Sequence, residues 1–229
     1  MWSQWRLIQY RPEDFRAIRA AVTSLPESPV ASLFAGLRVV SRGGYLPRTR
    51  VTRRERVVRC NKAMKRIAVV GSGGSGKSTF ARSLGTTTHL PVIHLDEFYW
   101  RPGWVETPRD EWRTVQSAMV ARDEWIIEGN YRNTYDIRFN RADTVIVLAP
   151  PRHICIYRAL RRVITNWHQP TQAPGCPEHF DWSFIVWLWR FPSDARPALD
   201  EALAQYRGRF DLVELTTRRA VREYLSAAP

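Results

Sequence analysis

Residues 71–79 read Gly-Ser-Gly-Gly-Ser-Gly-Lys-Ser-Thr, and the apolar run Ile67-Ala68-Val69-Val70 stands directly before them. The stretch satisfies G-x-x-x-x-G-K-[ST] in the context the pattern requires, a strand before and a helix after. At average residue usage the four fixed positions coincide by chance in roughly one chain of this size in a hundred, and the flanking pattern lowers that further. Glycine-rich backbone can turn several N–H groups inward on one anion, and the helix that follows adds its unpaired N-terminal N–H groups and positive dipole end. The stretch therefore predicts a phosphate cradle made by Gly71, Gly73, Gly74, Ser75, Gly76, Lys77, Ser78 and Thr79. Lys77 is expected to reach the β- and γ-phosphates of a nucleotide, and the Ser78 hydroxyl to ligate Mg²⁺. The helix is expected to run from Lys77 to Leu84 and to stop near Gly85.

Charge looks at first like a second constraint. The 229 residues carry 35 Lys and Arg against 22 Asp and Glu, a formal +13. The excess is uneven, however: residues 1–63 hold 13 basic against 4 acidic side chains, and residues 64–229 hold 22 against 18. Nearly all the basic residues are Arg, the only lysines being Lys62, Lys65 and Lys77, which fits a compact ammonium being required at the phosphate loop. The cysteines Cys60, Cys155 and Cys176 are odd in number and scattered, as suits a reducing, cytoplasmic setting. No apolar run approaches the ~18 residues that span a bilayer, so no membrane partner is expected.

Residues 1–63 show no sustained period and combine Pro26, Pro29, Gly43-Gly44 and Pro47 with the run Arg48, Arg50, Arg53, Arg54, Arg56 and Arg59. They read as a basic, poorly ordered extension with one short helix around Pro12 to Val22, dispensable or a mis-called start. A transit peptide and a nucleic-acid-binding arm are the rival readings. Nucleic acid, if it binds at all, is expected to use only this segment.

From Met64 onward strand and helix patterns alternate, which implies a parallel sheet flanked by helices. Strands are expected near 65–70, 91–95, 124–128, 143–149 and 211–215. Pro108 and Pro151 each suit the first position of a helix. Ligands of such sheets bind at the carboxyl ends of the strands, which directs attention to the polar residues there. The second strand runs into Asp96, placed to accept a hydroxyl proton or to bind substrate, unless it merely caps a turn. The third ends in Glu128-Gly129-Asn130-Tyr131, where a carboxylate would sit in the shell of Mg²⁺. Arg158, Arg161 and Arg162 share a face of the next helix; such a face is often merely solvated, but beside a phosphate loop it suggests a clamp from Arg158 and Arg162. The aromatic segment at about 165–197 reads either as a mobile lid that excludes water or as an insertion packed permanently on the core.

These residues also resemble a known family. Lys65-Arg66-Ile67 before the phosphate loop, His94-Leu95-Asp96, Pro102-Gly103-Trp104-Val105-Glu106-Thr107-Pro108, Trp125-Ile126-Ile127-Glu128-Gly129-Asn130-Tyr131 and Gly175-Cys176-Pro177-Glu178-His179-Phe180-Asp181-Trp182 look like the adenylate-kinase-related P-loop proteins known as DNA topology modulation (FlaR-like) proteins. The resemblance covers 64–229 and none of 1–63. It implies a three-layer α/β/α P-loop NTPase fold, a five-stranded parallel sheet of order 2-3-1-4-5, and a helical lid before the last strand. It also implies ATP and Mg²⁺ binding with phosphotransfer. Glu128 departs from the aspartate expected in the Gly-Asn-Tyr segment, keeping the charge on a longer side chain.

The reading that follows is a kinase moving the γ-phosphoryl of ATP to a small acceptor. Lys77, Asp96, Arg158 and Arg162 are its catalytic candidates, and Ser78 with Glu128 its Mg²⁺ site. A hydroxyl acceptor would need Asp96 as base; a phosphate acceptor would need cations such as Arg101, Arg109 and Arg132, with Trp100, Trp104 and Tyr131 available to stack or to pack. The alternative is a nucleic-acid-associated P-loop NTPase.

Overall fold

The computed structural model describes residues 64–228; the expectations for 1–63 lie outside the described residues. Period-two alternation builds the centre of the domain. In β1 (Arg66–Gly71), Ile67 and Val69 face one side of the sheet and Ala68 and Val70 the other, all of them fully buried. A strand buried on both faces is apolar throughout, as β6 (Thr144–Leu148) also is. With β2 (Val92–His94), β5 (Trp125–Glu128) and β7 (Asp211–Leu215) these strands form one parallel sheet of order β2-β5-β1-β6-β7. Counted within the sheet alone, that order is 2-3-1-4-5, and all five expected strands are present.

Helices cover both faces. On one lie α1 (Lys77–Thr88) and α8 (Arg218–Ala227), which bury Phe80, Leu84, Ala220 and Tyr224 against Ile67, Val69 and Ile146. On the other lie α3 (Arg109–Val120), α4 (Tyr135–Arg141) and α7 (Arg196–Gln205), whose Trp112, Met119, Phe139, Leu199 and Leu203 pack on Ala68, Val145 and Val147. This is the three-layer P-loop kinase fold. Pro108 and Pro151 stand as the N-caps of α3 and of α5 (Arg152–Thr165), one position before the helical residue expected of each.

One expected boundary is wrong. Helix α1 does not stop at Gly85 but runs on to Thr88, with His89 as its left-handed C-cap. Gly85 lies inside the helix, at a point where a Cβ would sit 2.4 Å from Val92 Cγ2 and 3.1 Å from the Leu90 carbonyl oxygen. The glycine permits close approach of helix and strand.

Three further pieces sit at the carboxyl edge of the sheet. The short α2 (Leu95–Tyr99) follows β2, and the hairpin β3 (Trp100–Arg101) and β4 (Val105–Glu106) follows α2. The segment after α5 loops through 166–181 into α6 (Trp182–Asp194), which lies beside α5. This loop is tied to the hairpin: Gly103 N–H donates to the Gly175 carbonyl at 2.9 Å, Trp104 Nε1 to the Pro177 carbonyl at 3.0 Å, and Cys176 Sγ lies 3.2 Å from the Arg101 carbonyl oxygen.

Candidate active site

The phosphate loop joins β1 to α1. Its positive-φ positions are Gly71 (φ 145°), Gly74 (φ 67°) and Gly76 (φ 97°), where a side chain would be strained. Its surroundings are tight as well: a Cβ on Gly74 would meet the Cys155 carbonyl oxygen at 2.2 Å, so α5 leans directly on the loop. A Cβ on Gly73 would lie 2.8 Å from Leu188 Cδ2 and 2.9 Å from Phe184 Cζ, both on α6. Two cations reach the loop's carbonyls. Lys77 Nζ donates to the Ser72 carbonyl at 3.0 Å, and the Arg158 guanidinium donates to the Ser75 carbonyl at 2.9 Å.

Beside them stands Glu128, at the end of β5 and only 2% exposed. Parallel pairing of β2 with β5 brings His94 opposite Glu128. Glu128 Oε1 accepts from Ser78 Oγ at 2.7 Å and lies 2.8 Å from His94 Nδ1. Burial alone would raise the carboxyl's pKa, but the His94 hydrogen bond, the Lys77 ammonium and the Ser78 hydroxyl together hold it below the usual carboxylate range. The other oxygen, Oε2, is buried without a hydrogen-bond partner, and a buried orphan acceptor costs about 1–3 kcal/mol. Ser78 Oγ and Glu128 thus form a hard-oxygen donor set with unused capacity, which fits Mg²⁺.

Asp96 lies on α2, one residue beyond the strand end expected for it. Tyr131 donates its hydroxyl to Asp96 Oδ1 at 2.5 Å. Burial, and then the nearby Glu128 charge, push the Asp96 pKa up, opposed by the Tyr131 hydrogen bond and by the Lys77 and Arg162 cations. Asp96, Glu128 and Lys77 therefore share one electrostatic environment, as the strand-end rule predicts. The departure from aspartate at position 128 is accommodated, since the longer side chain reaches the Ser78 hydroxyl.

The arginines are divided among different partners. Arg158 is on the loop, Arg161 is exposed, and Arg162 Nε lies 3.0 Å from Glu178 Oε1 in the segment after α5. Glu178 is buried and also accepts from Thr171 Oγ1 and from Gln172 Nε2. Arg101 pairs with Glu111 at 2.6 Å, whereas Arg109 and Arg132 are exposed. Tyr131 packs in an aromatic cluster with Tyr99 and Trp112, and Trp100 packs edge-on to Tyr99 and to Trp104. Gly129 makes room for Leu95, whose Cβ would be 2.8 Å from a side chain there.

Sequence reasoning missed three contributors. His94 belongs to no local motif; its signal is the parallel register that seats it beside Glu128. Arg138 on α4 is fully buried and donates to the Gly129 carbonyl at 2.7 Å and the Tyr131 carbonyl at 2.9 Å, fixing the loop that carries the Asp96 partner. Burial lowers its pKa to about 10. Glu178 carries no signal of its own in the sequence, since its pairing with Arg162 is made only by the fold.

Compared with protein-family models and with curated proteins, the sequence finds no match. Among solved structures it is similar in fold to several kinases. One is a shikimate kinase from Acinetobacter baumannii in complex with shikimate (16% identity over 71% of this chain and 89% of that one, TM-score 0.44). Another is a gluconokinase from Sinorhizobium meliloti 1021 (18% identity, 73% and 93%, TM-score 0.47). A third is a sugar kinase from Janibacter sp. HTCC2649 (20% identity, 72% and 92%, TM-score 0.44). These likenesses concern the fold; the chemistry of this chain has to be read from its own residues.

Proposed function

We propose that the chain is an ATP- and Mg²⁺-dependent kinase that transfers the γ-phosphoryl group to a hydroxyl of a small acceptor. The observation that carries this reading is the buried Glu128, bonded to Ser78 through one oxygen and unpartnered at the other, next to Lys77 and Asp96 at the mouth of the phosphate loop. Ser78 and Glu128 would hold Mg²⁺, which when bound neutralises charge on the β- and γ-phosphates. Lys77 and the loop N–H groups bind those phosphates, and Arg158 braces the loop from α5. Asp96 accepts the proton of the acceptor hydroxyl. Its raised pKa makes it a stronger base than a solvated aspartate, and Tyr131 fixes its orientation. A hydroxyl acceptor is favoured over a phosphate by Asp96 itself, a partly buried base oriented by Tyr131 that an already ionised phosphate acceptor would not need.

A cytoplasmic setting suits the buried thiols Cys155 and Cys176, and no helix among the described residues is long and apolar enough to cross a membrane. The test is the Mg²⁺ dependence of ATP binding, followed by calorimetry in the wild type, Lys77→Ala and Glu128→Gln. The expected result is strong Mg²⁺ enhancement in the wild type, its loss in Glu128→Gln, and weak binding with or without Mg²⁺ in Lys77→Ala. Unaltered Mg²⁺ enhancement in Glu128→Gln would overturn the metal assignment.

A further inference from the structure

The loop between α5 and α6 encloses a carboxylate that the account so far leaves without a role. The Glu178 side chain is 3% exposed and accepts from Thr171 Oγ1 and Gln172 Nε2. Its backbone is fixed as well: the Glu178 N–H donates to the Gln169 carbonyl at 3.0 Å, and the Glu178 carbonyl accepts from the His168 N–H at 3.0 Å. The remaining partner is Arg162 on α5, whose Nε lies 3.0 Å from Glu178 Oε1. A buried ion pair adds little to stability over apolar residues of the same volume, because both charges must leave water. Holding a charge in place is the better account of such a pair.

Arg162 meets Glu178 by one edge. The contact is an ion pair rather than an aligned hydrogen bond, and the terminal nitrogens Nη1 and Nη2 make no hydrogen bond or ion pair among the described residues. The side chain keeps 27% of its surface open. A guanidinium is a rigid planar fork, so an anchor at one edge aims the remaining N–H groups, whose geometry matches a phosphate. The Arg162 charge is felt at the Asp96 carboxyl, where it offsets part of the rise that burial causes. The two residues are also joined mechanically. Asp96 lies on α2, α2 leads into the β3–β4 hairpin, and that hairpin is bonded to the loop through Gly103 with Gly175 and Trp104 with Pro177, the residue before Glu178.

We propose that Glu178 is the positioning residue for Arg162: it holds the guanidinium by its Nε edge, so that the terminal nitrogens face the γ-phosphoryl group of ATP beside Asp96. The proposal rests on the kinase reading. It gives Arg158 and Arg162 separate tasks, one bracing the phosphate loop at the Ser75 carbonyl and the other meeting the group to be transferred. It also makes the loop a strap that keeps Arg162 in register with the acceptor side of the site. ADP lacks the γ-phosphate and leaves the fork empty, so the contribution of the pair is confined to ATP.

The test is calorimetry on the full-length protein with Mg²⁺, titrating ADP and the β,γ-imido analogue of ATP into wild type, Arg162→Gln, Glu178→Gln and the double variant. Glutamine at 178 keeps an oxygen for the Thr171 and Gln172 bonds while removing the charge that holds Arg162. Wild type should bind the ATP analogue more tightly than ADP. Each single variant should lose about tenfold or more in affinity for the analogue, as expected of a hydrogen bond to a charged group, with ADP affinity unchanged. The double variant should bind no more weakly than Arg162→Gln, because Glu178 acts through Arg162. Arg162→Lys checks the same geometry should Glu178→Gln alter the circular dichroism spectrum: one ammonium cannot face Glu178 and a phosphoryl group at once, so the preference should fall there too. Equal losses for ADP and the analogue, as a purely structural pair would give, would overturn the proposal. So would a wild-type preference in Glu178→Gln or in Arg162→Lys, additive losses in the double variant, or a wild type that binds the two nucleotides alike. Those results leave the kinase reading standing, whereas a wild type that binds neither nucleotide would remove both.

Discussion

The contact between the phosphate loop and α6 makes a quantitative prediction through Gly73→Ala. Gly73 does not have the left-handed backbone of Gly74 and Gly76, so alanine meets no conformational penalty there. Its cost comes from space: the new methyl would lie 2.8 Å from Leu188 Cδ2 and 2.9 Å from Phe184 Cζ. Phe184 is half-exposed and meets the methyl with the far end of its ring, so it can swing away. Leu188 is fully buried and cannot. Overpacking of this kind costs about 1–3 kcal/mol. Leu188→Ala alone should cost about 2–5 kcal/mol through lost burial and the cavity left behind. In the double variant the alanine methyl occupies part of that cavity, so the combined loss should fall short of the sum by about 1–2 kcal/mol, well outside the roughly 0.5 kcal/mol expected of independent sites. Urea unfolding of the four proteins, followed by tryptophan fluorescence, measures the cycle. Additivity would refute the claim that α6 rests on the loop. Gly74→Ala is the control: its methyl would meet a backbone oxygen at 2.2 Å, and the Leu188 truncation should not relieve it.

Other outcomes follow from the same structure. Gly85→Ala should destabilise by about 1–2 kcal/mol, because overpacking against Val92 outweighs the helix-propensity gain of about 1 kcal/mol; with Val92→Ala present the same change should become neutral or stabilising, and thermal melts distinguish the cases. Asp96→Asn should abolish phosphotransfer yet raise stability at neutral pH by about 1 kcal/mol. The sign comes from the raised pKa: the Asp96 contribution is fully present below the unfolded aspartate value and is lost as pH rises through the folded one, so the stability gain of the variant should shrink in acid. Glu128 has the opposite sign, its pKa being depressed, and its contribution should be lost as pH falls through the folded value. Arg138→Met should leave the Gly129 and Tyr131 carbonyls unpaired and cost about 3–5 kcal/mol in denaturant titrations. If nucleic acid binds only through the basic 1–63 segment, binding should fall steeply with salt and show no sequence preference in filter assays.

The sheet was legible because strands buried on both faces must be apolar, and because the loop before Lys77 sets the phase of everything after it. The residues at the carboxyl edge of the sheet were legible by position: Lys77 and Ser78 open α1 after the phosphate loop, Asp96 follows β2 and Glu128 ends β5, and the four come together there. What escaped was pairwise geometry. Gly85 looks like a helix stop in sequence, and only the approach of Val92 makes it an interior packing residue. Arg158 and Arg162 look equivalent, yet one reaches the loop and the other a buried glutamate 16 residues further on. His94 acts on a group brought to it by β-pairing, which no local spacing encodes, and Arg138 acts on carbonyls nine and seven residues before it, brought within reach by the turn between β5 and α4.

The most direct measurement is a phosphotransfer screen of the full-length protein with γ-labelled ATP and Mg²⁺ against small hydroxyl compounds, nucleosides and nucleoside monophosphates. Phosphorylation of a hydroxyl acceptor that is lost in both Lys77→Ala and Asp96→Asn is the predicted result. Transfer undiminished by Asp96→Asn, or ATP turnover that responds to DNA and to none of the small acceptors, would contradict the assignment.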